Sequence, residues 1–321
     1  MWANEAAGPD LEAGVLSESL YEVYGTGAGG PRSEASLVLG LSFDDYKAHP
    51  AINNSRLADM ARSAAHFEYA RENPRELDTP SLRFGTLAHC GVLEEESIFE
   101  RYERIPPYEL KIDAKNPRAT KQYKEQVAAF REAIAPKIAV PIDEFDRMLG
   151  VARSVAKHAP VFHGGHSEVV IFWTDPKTGV QCKARPDYLV TDTGGPGCAH
   201  IYDFKTCRDC RDFGRSIVNY AYDRQAAFYV AGCRALGYPV SSFSFVVAET
   251  EPPYGVMHAP LSVEAMNDGH ATVDELLAKI AACEASGSYP GYESPAVFQK
   301  PSWARKKRST TLTVGDTEIE L

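Results

Sequence analysis

The spacing of apolar residues changes once along this chain, and that change constrains the fold more than any other feature. Up to about His158 they recur at helical intervals. From Glu168 onward "EVVIFWTD", "VQCKARPDYLV" and "HIYDFKT" read as strands, with "DPKTGV" as the hairpin turn between the first two. A long helix is predicted next, from about Asp212 to Leu236, with Phe213, Ile217, Ala221, Phe228 and Ala231 along an apolar stripe. "SSFSFVVAETE" then reads as a strand, "GVMHAPLS" as a sixth element and "VEAMNDGHATVDELLAKIAACEA" as a closing helix. Helix, three strands, helix and strand predict an α/β layered fold.

The segment ahead of the strands is helical. Asn54 or Ser55 is placed to cap a helix carrying Leu57, Met60, Ala61 and Ala64 and ending before Pro74. A second helix holds "RFGTLAHCGVLEE", where Leu87, Cys90 and Leu93 share a face. The polar stretch "RIPPYELKIDAKNPRATKQYKEQ" reads as a loop, leading into helical patterning from about Tyr123 to His158, broken near Pro136 and Pro141. Residues 1–41, with "GTGAGGPRSEAS" at their centre, read as a flexible arm. A helical lead-in (42–160), a core (161–303) and a C-terminal tail (304–321) complete the predicted organisation.

With 44% hydrophobic residues, 321 residues suffice for a sizeable core, and length leaves one or two domains open. No apolar run approaches the roughly 20 residues of a membrane helix. "MWANEAAGPDLEAG" lacks the basic and apolar regions of a signal peptide, so a cytoplasmic protein is expected. Seven cysteines in unrelated local contexts argue against a disulfide framework. A formal charge of −10 argues against a simple nucleic-acid coat, but not against an enzyme that gathers acidic groups around a metal.

The chemistry concentrates where the strands end. Alternation along "HIYDFKT" puts Asp203 and Lys205 on one face, about 6–7 Å apart. In the preceding strand Lys183, Arg185 and Asp187 are expected to share a face, so Asp187 and Asp203 can approach one point if the strands are neighbours. Paired carboxylates without a fixed cation favour a hard divalent ion. A lysine beside such an ion can position or deprotonate water, or stabilise charge on a phosphoryl oxygen. Together these groups suit metal-assisted phosphodiester hydrolysis. For an isolated D-x-K the other reading is a solvated pair at the rim of a sheet.

Two further motifs accompany "RPD" (Arg185–Asp187) and "DFK" (Asp203–Lys205): "GTLAH" (Gly85–His89) on a helix ahead of the strands and "QAAFY" (Gln225–Tyr229) on the helix after them. In this order the motifs resemble the PD-(D/E)xK nuclease superfamily, and within it the branch of RecB-type and exonuclease VIII (RecE) nuclease domains. The likeness runs from about residue 42 to 303, ending at "KPSWARK". It implies a restriction-endonuclease-like core, a central mixed β-sheet flanked by helices, with an N-terminal helical extension. By the resemblance His89, Asp187 and Asp203 bind one or two Mg²⁺ or Mn²⁺ ions, the Phe204 backbone carbonyl adds a ligand, and Lys205 is the catalytic lysine. Gln225 and Tyr229, one helical turn apart, would contact the DNA backbone or support the metal site. Glu168 is either an outer-shell ligand or a strand-end charge, Arg185 meets a phosphate or pairs with a carboxylate, and Thr206 holds a carboxylate through its hydroxyl.

The resemblance further implies degradation of linear duplex DNA from 5′ ends, leaving 3′ single strands for recombination. It implies a ring-like homo-oligomer, a tetramer by analogy, a RecT-like single-strand annealing partner, and a phage or prophage origin. The alternatives left open are a single-strand-preferring or endonucleolytic enzyme of the same superfamily, and a non-catalytic DNA-binding module on the same fold. "CRDC" (Cys207–Cys210) with Cys283 alone downstream does not supply a four-cysteine iron–sulfur cluster, so none is expected. "ARKKRS" (Ala304–Ser309) is a basic run open to a DNA contact or to a solvated tail.

Overall fold

A computed structural model describes residues 35–74, 78–107, 116–191 and 198–292, and the backbone of 311–314 and 317–320. It begins with β1 (Ser36–Val38), α1 (Phe43–Ala48), α2 (Asn54–Arg62), α3 (Ala64–Glu72), α4 (Pro80–Leu93) and α5 (Ile98–Arg101). A short parallel pair, β2 (Tyr102–Arg104) and β3 (Ile138–Val140), flanks α6 (Lys121–Ile134), and α7 (Ile142–His158) follows. Five strands come next: β4 (His166–Ser167), β5 (Val170–Thr174), β6 (Gln181–Ala184), β7 (Tyr188–Thr191) and β8 (Ala199–Cys207). Then come α8 (Phe213–Tyr220), α9 (Tyr222–Ala235), β9 (Val240–Glu249), β10 (Val256–Pro260) and α10 (Val263–Ser286). A hairpin of β11 (Thr311–Val314) and β12 (Thr317–Glu320) lies within the predicted tail.

The central sheet has the order β10-β9-β8-β7-β4. β8 runs parallel to β9, with α8 and α9 forming the crossover between them, while the other pairs are antiparallel. Alternation gives the sheet two apolar faces. Ile201, Phe243, Phe245 and Val247 pack on Leu57, Phe67, Phe228 and Ile280 from α2, α3, α9 and α10. On the other face Phe204, Val246 and Ala248 pack on Leu87, Phe145, Met148 and Val151 from α4 and α7. This is the α/β layered architecture that the change of period predicts. Gly269 of α10 lies so close to the Asp223 backbone carbonyl at the start of α9 that any Cβ there would clash, so the two helices touch backbone to backbone. No helix among the described residues is long and apolar enough to cross a membrane.

Three predicted elements are divided. The helix predicted through Asn54–Asn73 breaks at Ser63, which is extended (φ −176°, ψ 162°) and whose hydroxyl accepts from the His66 amide to cap α3. The strand predicted across "VQCKARPDYLV" breaks at Arg185-Pro186-Asp187. β6 pairs with β5 in a three-stranded sheet completed by β1, whereas β7 belongs to the central sheet. Pro186 has no amide to extend either ladder. Lys183, Arg185 and Asp187 therefore do not share a face. Lys183 is buried, and its ammonium donates to the carbonyls of Tyr46 and His49 at the end of α1. The long helix breaks at Ala221, a non-glycine residue in the left-handed region (φ 50°, ψ 54°).

β1 pairs with β5, so regular structure begins before residue 41, the predicted end of the arm. The polar stretch read as a loop turns helical by Lys121, at α6. Residues 1–34 and the basic run Ala304–Ser309 lie outside the described residues.

Candidate active site

The site forms where β7 and β8 part company. In their antiparallel register Tyr188 faces Tyr202, which brings Asp187 opposite Asp203 just beyond the end of β7. The Phe204 amide donates to Asp187 Oδ2 at 2.8 Å, fixing that carboxylate against β8. From the other face of the sheet α4 brings His89 across, with Nδ1 3.6 Å from Asp187 Oδ2 and the ring edge-on to Phe204. The Phe204 carbonyl, expected to add a metal ligand, belongs to the same residue whose amide holds Asp187.

The third member is Glu168. Its φ of 54° is in the left-handed region, and its amide donates to the Asp187 carbonyl at 2.9 Å. A backbone shape that a glutamate rarely adopts therefore ties it to the Asp187 turn, as strained residues at functional sites often are. The donor atoms of His89, Glu168 and Asp187 all lie within 4.8 Å of one another. Two carboxylates and an imidazole at that separation match the ligand chemistry of a divalent ion such as Mg²⁺ or Mn²⁺.

Electrostatics supports the same fit. Burial, then the charge of Asp187, pushes the Glu168 carboxyl up to about 8. Burial also raises Asp187, against the pull of Lys205. Burial and Lys205 lower the His89 imidazole to about 4, so at neutral pH it is an uncharged donor rather than an ion-pair partner of Asp187. The cluster thus carries acidic charge that its surroundings do not fully compensate, and a bound cation would offset it.

Asp203 and Lys205 form a second unit beside the first. Asp203 is fully buried. One of its oxygens pairs with the Lys205 ammonium, and the other accepts from Gln225 Nε2 at 3.0 Å. Burial and Asp187 raise the Asp203 carboxyl to about 6. Burial opposes the charge on Lys205, but Asp203 and Asp187 outweigh it and hold the ammonium well above the usual lysine range. Held in this way, Lys205 is a fixed positive charge and hydrogen-bond donor beside the cluster. Gln225 Nε2 also donates to the Tyr229 hydroxyl at 3.0 Å, so both motif residues of α9 support Asp203.

Residues 54–299 match the family described as a PDDEXK-like domain of unknown function (DUF3799). The chain belongs to that family. Among solved structures it is similar to a candidate exonuclease from Eubacterium rectale, at 14% identity and a TM-score of 0.53, covering 82% of this chain and 96% of that one. It is also similar to SSO0001 at 13% identity, covering 70% of this chain and 82% of that one. That TM-score, 0.26, is too low to bear on the fold. No curated protein matches the chain. The match places the chain in the PD-(D/E)xK superfamily that its motifs resemble, and the Eubacterium rectale structure shares its fold.

Within this PDDEXK-like frame the remaining predicted residues separate. Arg185 pairs with Glu168, Nε to Oε2 3.1 Å, so of its two readings the carboxylate partner is the one formed. Thr206 makes no side-chain hydrogen bond to a site carboxylate among the described residues. Cys207 and Cys210 lie with sulfurs 3.7 Å apart, and all seven cysteines are free. Sequence patterns leave Glu168 between two readings and give no part to Tyr222, whose ring lies 5.3 Å from the Lys205 ammonium. Tyr222 begins α9 one turn before Gln225, and that i, i+3 spacing is the signal that points to it.

Proposed function

We propose that the protein is a divalent-metal-dependent nuclease that hydrolyses phosphodiesters of linear double-stranded DNA as an exonuclease, from 5′ ends, leaving 3′ single strands for recombination. The observation that carries the reading is the convergence of His89, Glu168 and Asp187 beside the Lys205 ammonium in a PDDEXK-like chain. A divalent ion bound there would polarise a phosphoryl oxygen and lower the pKa of a bound water. Asp187 is oriented for that role by the Phe204 amide, and the His89 ring packs edge-on against the Phe204 ring. Lys205, anchored by Asp203, presents positive charge to the phosphate as negative charge builds in the transition state. Asp203 in turn is held by Gln225 beside the three-residue cluster, where it anchors Lys205.

The exonuclease reading is supported by the motif resemblance and by the description of the Eubacterium rectale neighbour as a candidate exonuclease. A ring-like homo-oligomer and a RecT-like annealing partner are proposed with it on the resemblance alone. The test is one linear duplex labelled separately at its 5′ and 3′ ends, together with the same DNA as a closed circle. With Mg²⁺ or Mn²⁺ the 5′ label is expected to be released early and the circle to stay intact. Cutting of the circle would make the enzyme an endonuclease, and faster digestion of single strands would make it single-strand-preferring. An absence of digestion with either cation would leave only a DNA-binding module.

A further inference from the structure

The two banks of the candidate site differ in chemistry. On the Glu168 side the Arg185 guanidinium lies 5.2 Å from the centre of the Phe43 ring of α1, and the Lys47 ammonium lies 5.0 Å from the same ring. Both cations are ion-paired, Arg185 with Glu168 and Lys47 with Asp44, so that bank is charged but balanced. On the Lys205 side Tyr222 is followed outward by Tyr220, the ring centres 5.5 Å apart. Tyr220 is 64% exposed and Val218, on the same short helix, is 79% exposed. That bank presents an aromatic ring and an aliphatic side chain to solvent, one ring beyond the active-site ammonium.

Packing does not require this exposure. α8 is held to the core by Phe213 and Ile217, one turn apart, which leaves Val218 and Tyr220 without partners in the core. The left-handed Ala221 joins α8 to α9 and sets the direction in which the last turn of α8 projects. An exposed aromatic ring continuous, through Tyr222, with a phosphodiester site fits an unpaired stretch of nucleic acid, because every base has a π-face to stack.

We propose that the end of α8 is a base-stacking platform: Tyr220, backed by Tyr222 and flanked by Val218, stacks on an unpaired base of the strand being cut. The proposal rests on the nuclease reading and deepens it by specifying the form in which DNA enters. Bases in a duplex are covered by their neighbours, so an end must open by at least one pair for a base to reach Tyr220. Stacking offsets part of the cost of that opening.

A protein–DNA cycle tests it. kcat/KM is measured for wild type and Tyr220→Ala on duplexes carrying an abasic nucleotide at each of the first three positions of the digested strand in turn. Tyr220→Ala alone is expected to lower kcat/KM roughly five- to hundredfold on intact DNA. One abasic position is expected to do the same to wild type, and the two together to give no further loss. Tyr220→Trp should keep the rate, and an unchanged Tm for Tyr220→Ala excludes a folding defect at this exposed position. Full activity of Tyr220→Ala, or losses that multiply at every position, overturns the platform while leaving the nuclease reading intact. If wild type digests none of these DNAs with Mg²⁺ or Mn²⁺, the nuclease reading fails and the platform falls with it.

Discussion

Lys205→Ala is expected to lower metal-dependent DNA digestion by about 10²–10³-fold, the usual cost of removing one preorganised group that faces developing charge. The half-buried ammonium is anchored by the fully buried Asp203 carboxylate. The same substitution leaves the Asp203 carboxylate buried beside Asp187 with its counter-charge gone. Breaking one side of a buried ion pair costs about 3–5 kcal/mol of stability. Activity and folding therefore have to be read apart, with rates taken well below the measured Tm of the variant. Asp203→Asn is the companion test. It keeps an oxygen to accept from Gln225 but removes the charge that holds Lys205, and the same loss of rate is expected. A wild-type rate from either variant would remove Lys205 and Asp203 from the chemistry.

Glu168→Gln is expected to have opposite effects with and without metal. The Glu168 carboxyl rises from an ordinary value of 4.5 to about 8 in the folded chain, through burial and the Asp187 charge. Between those two values the folded state binds more protons than the unfolded one, so stability without metal falls as pH rises through the window. Each group shifted in this way contributes a slope of up to about 1.4 kcal/mol per pH unit. Asp203, raised to about 6, acts with the same sign over a lower range. Removing the Glu168 charge should therefore raise the metal-free Tm at pH 8, by several degrees for a slope of that size, and change it little near pH 5. In wild type, Mg²⁺ or Mn²⁺ should raise Tm strongly at pH 8 and weakly at pH 5, where protons occupy the same oxygens. Glu168→Gln should lose most of that gain and need at least about tenfold more metal for half-maximal digestion, as expected when a metal-site residue is lost. An equal metal-induced rise in Tm for wild type and variant would exclude Glu168 as a ligand.

Much of this arrangement is legible in the amino-acid sequence. Asp203, Lys205 and Gln225 can be placed because strand alternation and helical spacing are local rules, and the sheet faces follow from the same alternation. The Asp187–Asp203 approach needs only that β7 and β8 be neighbours. The role of Glu168 is not legible, because it depends on a left-handed backbone at a residue type that seldom adopts one. The break at Ala221 is hidden for a similar reason. Nothing in "IVNYAYDRQAAFYV" marks a stop, and a single helical wheel drawn across it puts Val218 beside Gln225, whereas the left-handed joint turns Val218 out to solvent. By spacing alone Lys183 reads as a strand charge facing the site. Its actual role, satisfying carbonyls at the end of α1, requires knowing that a helix distant in sequence ends there. That Lys205 and Gln225 between them engage both oxygens of Asp203 is equally non-local, because it needs the crossover helix laid against the strand.

The most direct test is an anomalous difference map from crystals of the protein soaked in Mn²⁺. A peak within coordination distance of His89, Glu168 and Asp187, adjacent to but not displacing the Asp203–Lys205 pair, is the predicted result. A protein that digests DNA with Mn²⁺ yet shows its Mn²⁺ peak away from these three side chains would contradict it.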